Sequence, residues 1–137
     1  MPERGEDRLF VIDASGSMGE SIKTLSGNIR KIELVKKAVK AFCLKRWPIA
    51  YDDTQLRIGV LAYRSVGVSE HLDVRVLIPL CPSPYSLPLY LIDAISAKGG
   101  SSMGEALSYA TVVLAESFRA EKRIKLISDG EITFGRS

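Results

Sequence analysis

An unbroken apolar run at residues 9–12, which ends at Asp13 and is followed by a Gly/Ser-rich segment, constrains the fold of this chain more than any other feature. A strand with apolar side chains on both faces must be covered on both faces, as the central strands of parallel sheets are. Similar runs at residues 56–63 and 123–128 are separated from it by helical patterns. The alternation predicts an α/β domain with a largely parallel sheet.

The apolar patterns predict four strands and three helices. The third strand carries charged residues near its start and Pro79 near its end, which places it at an edge of the sheet. The first helix ends before Pro48 and has one apolar face, with Lys36, Lys37 and Lys40 on the opposite face. The predicted strands span residues 9–12, 56–63, 74–80 and 123–128, and the helices span roughly 29–47, 87–95 and 103–118.

Length and composition are those of one ordinary globular domain. With 137 residues, of which 46% are hydrophobic and 26% charged, the chain is long enough to bury a core, and disordered classes are excluded. The N-terminal sequence has no apolar signal core, and no apolar run is long enough to cross a bilayer. Cys43 and Cys81 lie in apolar surroundings, so we expect reduced core cysteines and a cytoplasmic location.

Three polar groups follow strand ends or precede a helix, which is where ligands bind in open α/β sheets. Asp13, Ser15 and Ser17 follow the first strand. Ser101 lies in a Gly-Gly-Ser loop before the long helix, and Asp129 ends the fourth strand. If the first and fourth strands are neighbours, the three groups converge on one crevice. Their carboxylate and hydroxyl oxygens, without imidazole or thiolate, suit a hard cation such as Mg²⁺.

Each of these groups also has an ordinary structural interpretation. A serine of the first group could simply cap a loop or a helix, and Asp129 could belong to a turn. Ser102 and Glu105 have the spacing of a helix capping box, so the metal role is assigned to Ser101 rather than to Ser102. All three groups occur in one chain, each at a strand end or a helix start. A shared metal site explains this better than three unrelated turns and caps.

The motifs of the chain resemble those of the von Willebrand factor type A domain family. The metal-ion-dependent adhesion site of that family combines an Asp-x-Ser-x-Ser motif, a Thr in a Gly-Gly-Thr-like loop and an Asp-Gly after the fourth strand. The resemblance covers residues 8–131 and indicates that residues 1–137 form a single domain. It implies a doubly wound, Rossmann-like, mostly parallel sheet of strand order 3-2-1-4, with strand 3 an antiparallel edge and helices on both faces. The implied metal ligands are Asp13, Ser15, Ser17, Ser101 and Asp129.

The chain departs from the family pattern in three ways. Ser101 replaces the usual Thr, which keeps the hydroxyl but loses the methyl that restricts its rotamer. Met103 stands where a second Thr is common, a change that concerns packing more than coordination. The family normally continues for two more strand–helix units after the position of Asp129. We therefore expect strand 4 to be an open edge, and two explanations stay open, a shortened chain or another chain that covers this edge.

The resemblance implies a divalent-cation-dependent protein–protein interaction module without catalysis. Hydroxyl ligands leave much of the charge of Mg²⁺ or Mn²⁺ uncancelled, so the Asp or Glu carboxylate of a partner protein can complete the coordination. The expected partner is therefore a protein that supplies an acidic residue, and neither a membrane nor a nucleic acid is expected.

Two enzyme classes match parts of the sequence but lack essential residues. A serine hydrolase would use the G-x-S-x-G pattern at residues 100–104, yet the single histidine, His71, precedes that pattern and no strand leads directly into it. A Mg²⁺-dependent phosphohydrolase of the haloacid dehalogenase type needs a second aspartate two residues after Asp13, where Ser15 stands. Catalysis is therefore not expected.

A basic helix at residues 30–46 provides the alternative function, non-catalytic binding of a nucleic acid or a scaffold. Its lysines are expected to form a solvated face, and no aromatic platform accompanies them. The net charge of +3 is too small to favour nucleic acid by itself.

Overall fold

The computed structural model describes residues 3–46, 56–66, 71–81, 88–97, 100, 103–115 and 119–128. A 3₁₀ turn at Gly16–Gly19 follows the first strand, and a π-helical turn at Phe42–Arg46 ends the first helix. The strands are β1 (Glu3–Asp13), β2 (Ser21–Thr24), β3 (Gly27–Arg30), β4 (Arg57–Val66), β5 (His71–Cys81) and β6 (Arg119–Ile127). The helices are α1 (Lys31–Ala41), α2 (Leu89–Asp93) and α3 (Met103–Ala115).

Four strands form the main sheet in the order β5-β4-β1-β6. β1 runs parallel to both β4 and β6, whereas β5 runs antiparallel to β4 at the edge. This confirms the predicted order 3-2-1-4 with an antiparallel third strand. β1 and β6 are longer than their apolar runs, because their polar amino ends also pair. Gly5, at a φ of 114°, lies at the irregularity in this pairing between Glu3 and Glu6.

Helices cover both faces of the sheet, as predicted. On one face, Phe10 and Ile12 of β1 pack with Ile32 and Val39 of α1 and with Ile92 of α2. On the other face, the helix α3 covers the sheet through a stripe at four-residue spacing, which matches the predicted apolar face. The residues that pack together there include Leu9, Val11, Leu61, Ala106, Ala110 and Leu114.

A buried ion pair joins the amino ends of β1 and β4. The Asp7 side chain is fully buried, and both of its oxygens accept hydrogen bonds from the Arg57 guanidinium at 2.7 Å. The two residues are partners in the strand register. In another register Asp7 would be a buried charge separated from Arg57, so the pair favours the observed alignment of the two strands.

The segment between the first strand and the first helix contains a hairpin that the apolar patterns did not predict. β2 and β3 pair antiparallel, and the Thr24 hydroxyl donates to the carbonyl of Gly27 at 2.6 Å across the turn. Gly27 has a φ of 116°, a conformation that a side chain would disfavour. The N–H of Lys31 donates to the carbonyl of Glu20 at 2.9 Å, so the hairpin closes directly onto the start of α1.

Lys36 corrects the prediction that the lysines of α1 share one solvated face. It is 7% exposed, and its Nζ donates to the carbonyl oxygens of Asp93 and Ile95 at 2.7 and 2.8 Å. These carbonyls lie at the C-terminal end of α2, where a helix lacks internal partners for its last acceptors. Lys36 also pairs with Glu33 at 3.1 Å. The aliphatic part of the side chain is buried, and its ammonium group donates to these oxygens. A pattern of polar and apolar residues treats every lysine as exposed and so does not predict this arrangement.

Both cysteines lie in the core, as predicted. Cys43 is 1% and Cys81 is 8% exposed, and both pack in the cluster between the sheet and α1. Burial raises the pKa of Cys43 from 9.0 to about 12, and the neighbouring Cys81 makes a second, smaller contribution in the same direction. Burial also raises the pKa of Cys81. Since the folded Cys43 thiol keeps its proton to a higher pH than the unfolded one, the stability of the fold decreases as the pH rises from 9.0 towards about 12.

Among the described residues, no helix combines the length and the apolar character that a membrane crossing needs.

Replacing Lys36 by Met should lower the free energy of unfolding by about 2 kcal/mol, because the buried carbonyl of Ile95 and the partly buried carbonyl of Asp93 lose their donor. Urea unfolding monitored by circular dichroism measures the change. Lys37→Met is the matched control, since Lys37 is exposed on the same helix, and it should change stability by no more than about 0.5 kcal/mol. Equal effects of the two substitutions would show that Lys36 does not cap α2.

Cys43 in the folded protein should react with iodoacetamide at about pH 8 roughly a thousandfold more slowly than in guanidinium, because alkylation requires the thiolate. Mass spectrometry of timed samples gives both rates. A folded protein whose Cys43 is alkylated as fast as the denatured chain would contradict the buried position of this thiol.

Candidate metal centre

The candidate metal centre starts where β1 ends, at the carboxyl edge of the sheet. Asp13 is the last residue of β1, and it is 2% exposed. The N–H of Ala14 donates to the carbonyl of Tyr63 at 2.8 Å, which continues the pairing of β1 with β4 past Asp13. The backbone of Asp13 is therefore fixed by the sheet at the point where the chain leaves it.

The loop that follows folds back onto the Asp13 carboxylate. The N–H of Ser15 donates to Asp13 Oδ1 at 2.8 Å, and the N–H of Met18 donates to the carbonyl of Ser15 at 3.0 Å. Met18 is 1% exposed and packs in the core beneath the 3₁₀ turn. An apolar anchor thus holds the polar loop in place while its serines stay at the edge of the sheet.

Ser15 and Ser17 bring two hydroxyls together beside this carboxylate. Their Oγ atoms are 3.3 Å apart, and Ser15 is 3% exposed whereas Ser17 is exposed to solvent. An octahedral Mg²⁺ with bonds of about 2.1 Å places neighbouring ligand oxygens about 3 Å apart. The spacing of the two hydroxyls and the oxygen-only donor set therefore fit such a cation.

The end of β6 lies next to the end of β1. Ile12 is the register partner of Ile127, so the following residues, Asp13 and Ser128, are neighbours across the sheet. The Ser128 hydroxyl donates to Asp13 Oδ2 at 3.0 Å. The predicted convergence of the first and fourth strands is thus confirmed. Asp129, which the sequence analysis assigns to the metal, lies outside the described residues.

The helix α3 begins on the same edge of the sheet. Since α3 leads into β6, which runs parallel to β1, the helix must cross back from the carboxyl edge to the amino edge. Ala97, which precedes the second Gly/Ser loop, is near Gly19 at the end of the first loop, and a Cβ on Gly19 would lie 3.5 Å from the Cβ of Ala97. Ser101 lies outside the described residues, so its place among the ligands stays a prediction.

Within the described ranges, no three His, Cys, Asp or Glu side chains come together as metal ligands. The predicted set is of another type, with three hydroxyls and two carboxylates. Only one of those carboxylates, Asp13, belongs to the part of the chain that the structure describes.

Ser128 is the residue at this centre that the sequence analysis left without a role. It precedes Asp129 at the end of the strand next to β1, and this position was the available signal. In neighbouring parallel strands that end together, the residues just past the last paired positions face each other. The predicted strand order places β6 beside β1, but the register that brings the Ser128 hydroxyl to Asp13 is seen only in the structure.

Several solved structures share the fold of this chain. The vWF domain of the type V pili tip protein Mfa5 from Porphyromonas gingivalis has a TM-score of 0.68 and 22% identity, covering 93% of this chain and 38% of that one. The conserved hypothetical protein BatB from Bacteroides thetaiotaomicron has a TM-score of 0.64 and 20% identity, covering 96% and 57%. The pilus adhesin SpaC from Lactobacillus rhamnosus GG in its open conformation has a TM-score of 0.67 and 19% identity, covering 93% and 15%.

In these three comparisons, the chain spans less than two thirds of the solved protein, and identities this low establish the fold alone. A comparison with curated proteins found no match. The sequence matches the family described as the von Willebrand factor type A domain over residues 9–131, a range that includes all five predicted metal ligands. With most of its 137 residues in this match, the chain belongs to the von Willebrand factor type A domain family.

Proposed function

We propose that this domain is a protein-recognition module that binds Mg²⁺ or Mn²⁺ and, through the cation, an acidic side chain of a partner protein. The observation that carries the proposal is the arrangement at the end of β1. One buried carboxylate, from Asp13, and two hydroxyls 3.3 Å apart, from Ser15 and Ser17, occupy the carboxyl edge of the sheet. Ser101 and Asp129 complete the proposed ligand set.

The proposed ligands differ in their exposure, and this gives them different roles in binding the cation and in admitting a partner. Asp13 and Ser15 are buried and held by backbone hydrogen bonds, so they are suited to bind a cation with little reorganisation. Ser17 is exposed and lies on the side of the site that faces solution. The cation, when bound, supplies positive charge to which a carboxylate from solution is attracted. Three of the five proposed ligands are neutral hydroxyls, which leaves that attraction strong.

The solved proteins that share the fold support recognition as the kind of function. They include the vWF domain of a pilus tip protein and a pilus adhesin. We infer from this that the fold is used in contacts between proteins, and the chemistry of the site supplies the acidic partner residue. The cytoplasmic location stays a prediction from the sequence.

No catalytic step is part of this proposal. A phosphohydrolase of the type considered above would need a carboxylic acid at the position of Ser15, and a serine hydroxyl cannot replace it as a general acid near neutral pH. Ser15 instead stands beside Ser17 as a neutral oxygen donor.

The alternative function, nucleic-acid or scaffold binding by the basic helix, is weakened by the positions of its lysines. Lys36 is buried and bound to two carbonyls of the chain, and Lys40 pairs with Asp93 at 2.7 Å. Two of the three lysines that were predicted to form the solvated face of this basic stretch are therefore engaged within the domain. The metal centre is the better supported site.

Mg²⁺ at about a hundredfold excess over its Kd should raise the melting temperature by about 5–10 °C relative to EDTA, because it binds the folded state. Asp13→Ala should abolish this shift. Asp93→Asn removes an exposed carboxylate outside the proposed site and should leave it intact. Thermal scans that superimpose in Mg²⁺ and EDTA for the unmodified chain would contradict metal binding.

Peptides selected on the immobilised domain from a random library in Mg²⁺ should contain an essential Asp or Glu. Replacing that residue by Asn or Gln should reduce binding at least about tenfold, since the amide carries no charge to pair with the cation. Fluorescence anisotropy in Mg²⁺ and in EDTA measures the affinities. Selected peptides that bind without an acidic residue, or that bind equally in EDTA, would contradict metal-mediated recognition.

A further inference from the structure

The Asp13 carboxylate is held from two sides by groups that come from distant parts of the chain. The N–H of Ser15, in the loop after β1, donates to Oδ1 at 2.8 Å. The hydroxyl of Ser128, just past β6, donates to Oδ2 at 3.0 Å. Asp13 is 2% exposed, so bulk water contributes little to holding it. Two of the bonds that orient the carboxylate thus come from different parts of the chain, one within its own loop and one across the sheet.

The bond from Ser128 is a consequence of the strand pairing. β6 runs parallel to β1 with Ile127 opposite Ile12, so Ser128 leaves the sheet beside Asp13. A hydroxyl donor has one proton to give, and here it is directed at the oxygen of Asp13 that Ser15 does not contact. Loss of this donor would weaken the hold on the carboxylate, whose terminal torsion has only weak rotameric preferences of its own.

We propose that Ser128 is a positioning residue, which orients the Asp13 carboxylate for Mg²⁺ without binding the cation itself. This inference rests on the proposed function of the site. Mg²⁺ requires nearly ideal octahedral geometry, whereas Ca²⁺ accepts seven or eight oxygens, longer bonds and bidentate carboxylates. A fixed carboxylate therefore favours Mg²⁺, and a rotating one lowers the affinity for Mg²⁺ more than the affinity for Ca²⁺.

A purely structural bond would behave differently. If the contact between Ser128 and Asp13 only joined β6 to β1, its loss would lower the stability of the metal-free protein and leave the relative affinities for the two cations unchanged. The ratio of the two affinities therefore separates positioning from simple stabilisation. Removal of a group that orients a metal ligand typically lowers metal affinity by about 10–100-fold.

The test compares Ser128→Thr with Ser128→Val in the full chain, because these side chains have the same shape and differ in a hydroxyl against a methyl. Isothermal titration calorimetry gives the Kd for Mg²⁺ and for Ca²⁺, and circular dichroism of the metal-free proteins verifies folding. We expect Ser128→Thr to retain the Mg²⁺ affinity of the unmodified chain. Ser128→Val should weaken Mg²⁺ binding about tenfold and Ca²⁺ binding less than about threefold. Ser108→Ala, which removes an exposed hydroxyl on α3, serves as the control and should change neither affinity.

Two results would overturn the inference while leaving the proposed function in place. One is a Ser128→Val protein that binds Mg²⁺ as tightly as Ser128→Thr does. The other is a Ser128→Val protein whose affinities for Mg²⁺ and Ca²⁺ fall by the same factor. An unmodified chain that binds no Mg²⁺ would overturn the proposed function and this inference together. The two failures are distinguished by the unmodified chain alone.

Discussion

The ion pair between Asp7 and Arg57 is the interaction on which the placement of the candidate site depends. It fixes the alignment of β1 with β4, because a fully buried carboxylate without its guanidinium partner would strongly destabilise any shifted pairing. Asp13, at the other end of the same strand, lies opposite Tyr63 in that alignment, while the separate pairing of β1 with β6 brings it beside Ser128. A charge pair at the amino edge of the sheet thus helps to set where, relative to β4, the polar loop starts at the carboxyl edge.

The sequence was sufficient to predict the parts of the fold that burial dictates. The apolar run at residues 9–12 identified a strand covered on both faces, and β1 lies at the centre of the paired strands with helices on either side. The four-residue spacing of Ala106, Ala110 and Leu114 predicted the buried face of α3. Pro79 and nearby charges placed β5 at an edge, where the sheet has it. Each of these predictions follows from the side chains of a single element.

Features that depend on partners far away in the sequence were not predictable in this way. Lys36 can be buried because the carbonyls of Asp93 and Ile95 accept its hydrogen bonds. The sequence of its own helix does not indicate that these acceptors are nearby. The hairpin at residues 21–30 gives only a weak signal in the sequence, because each of its four-residue strands carries one apolar residue, Ile22 or Ile29, and neither is buried. For the candidate site, the motif located Asp13, Ser15 and Ser17 correctly at the strand end, whereas the role of Ser128 appeared only once the strand register was known.

The cap that Lys36 places on α2 makes two helices mechanically dependent on each other. α1 follows the serine loop through the hairpin, and its lysine holds the last carbonyls of α2. Separating α1 from α2 would cost both hydrogen bonds and leave the buried carbonyl of Ile95 without this donor, a penalty that is appreciable against the usual stability of a domain. Hydrogen bonds therefore join α1 to α2 in addition to the apolar core that the two helices share.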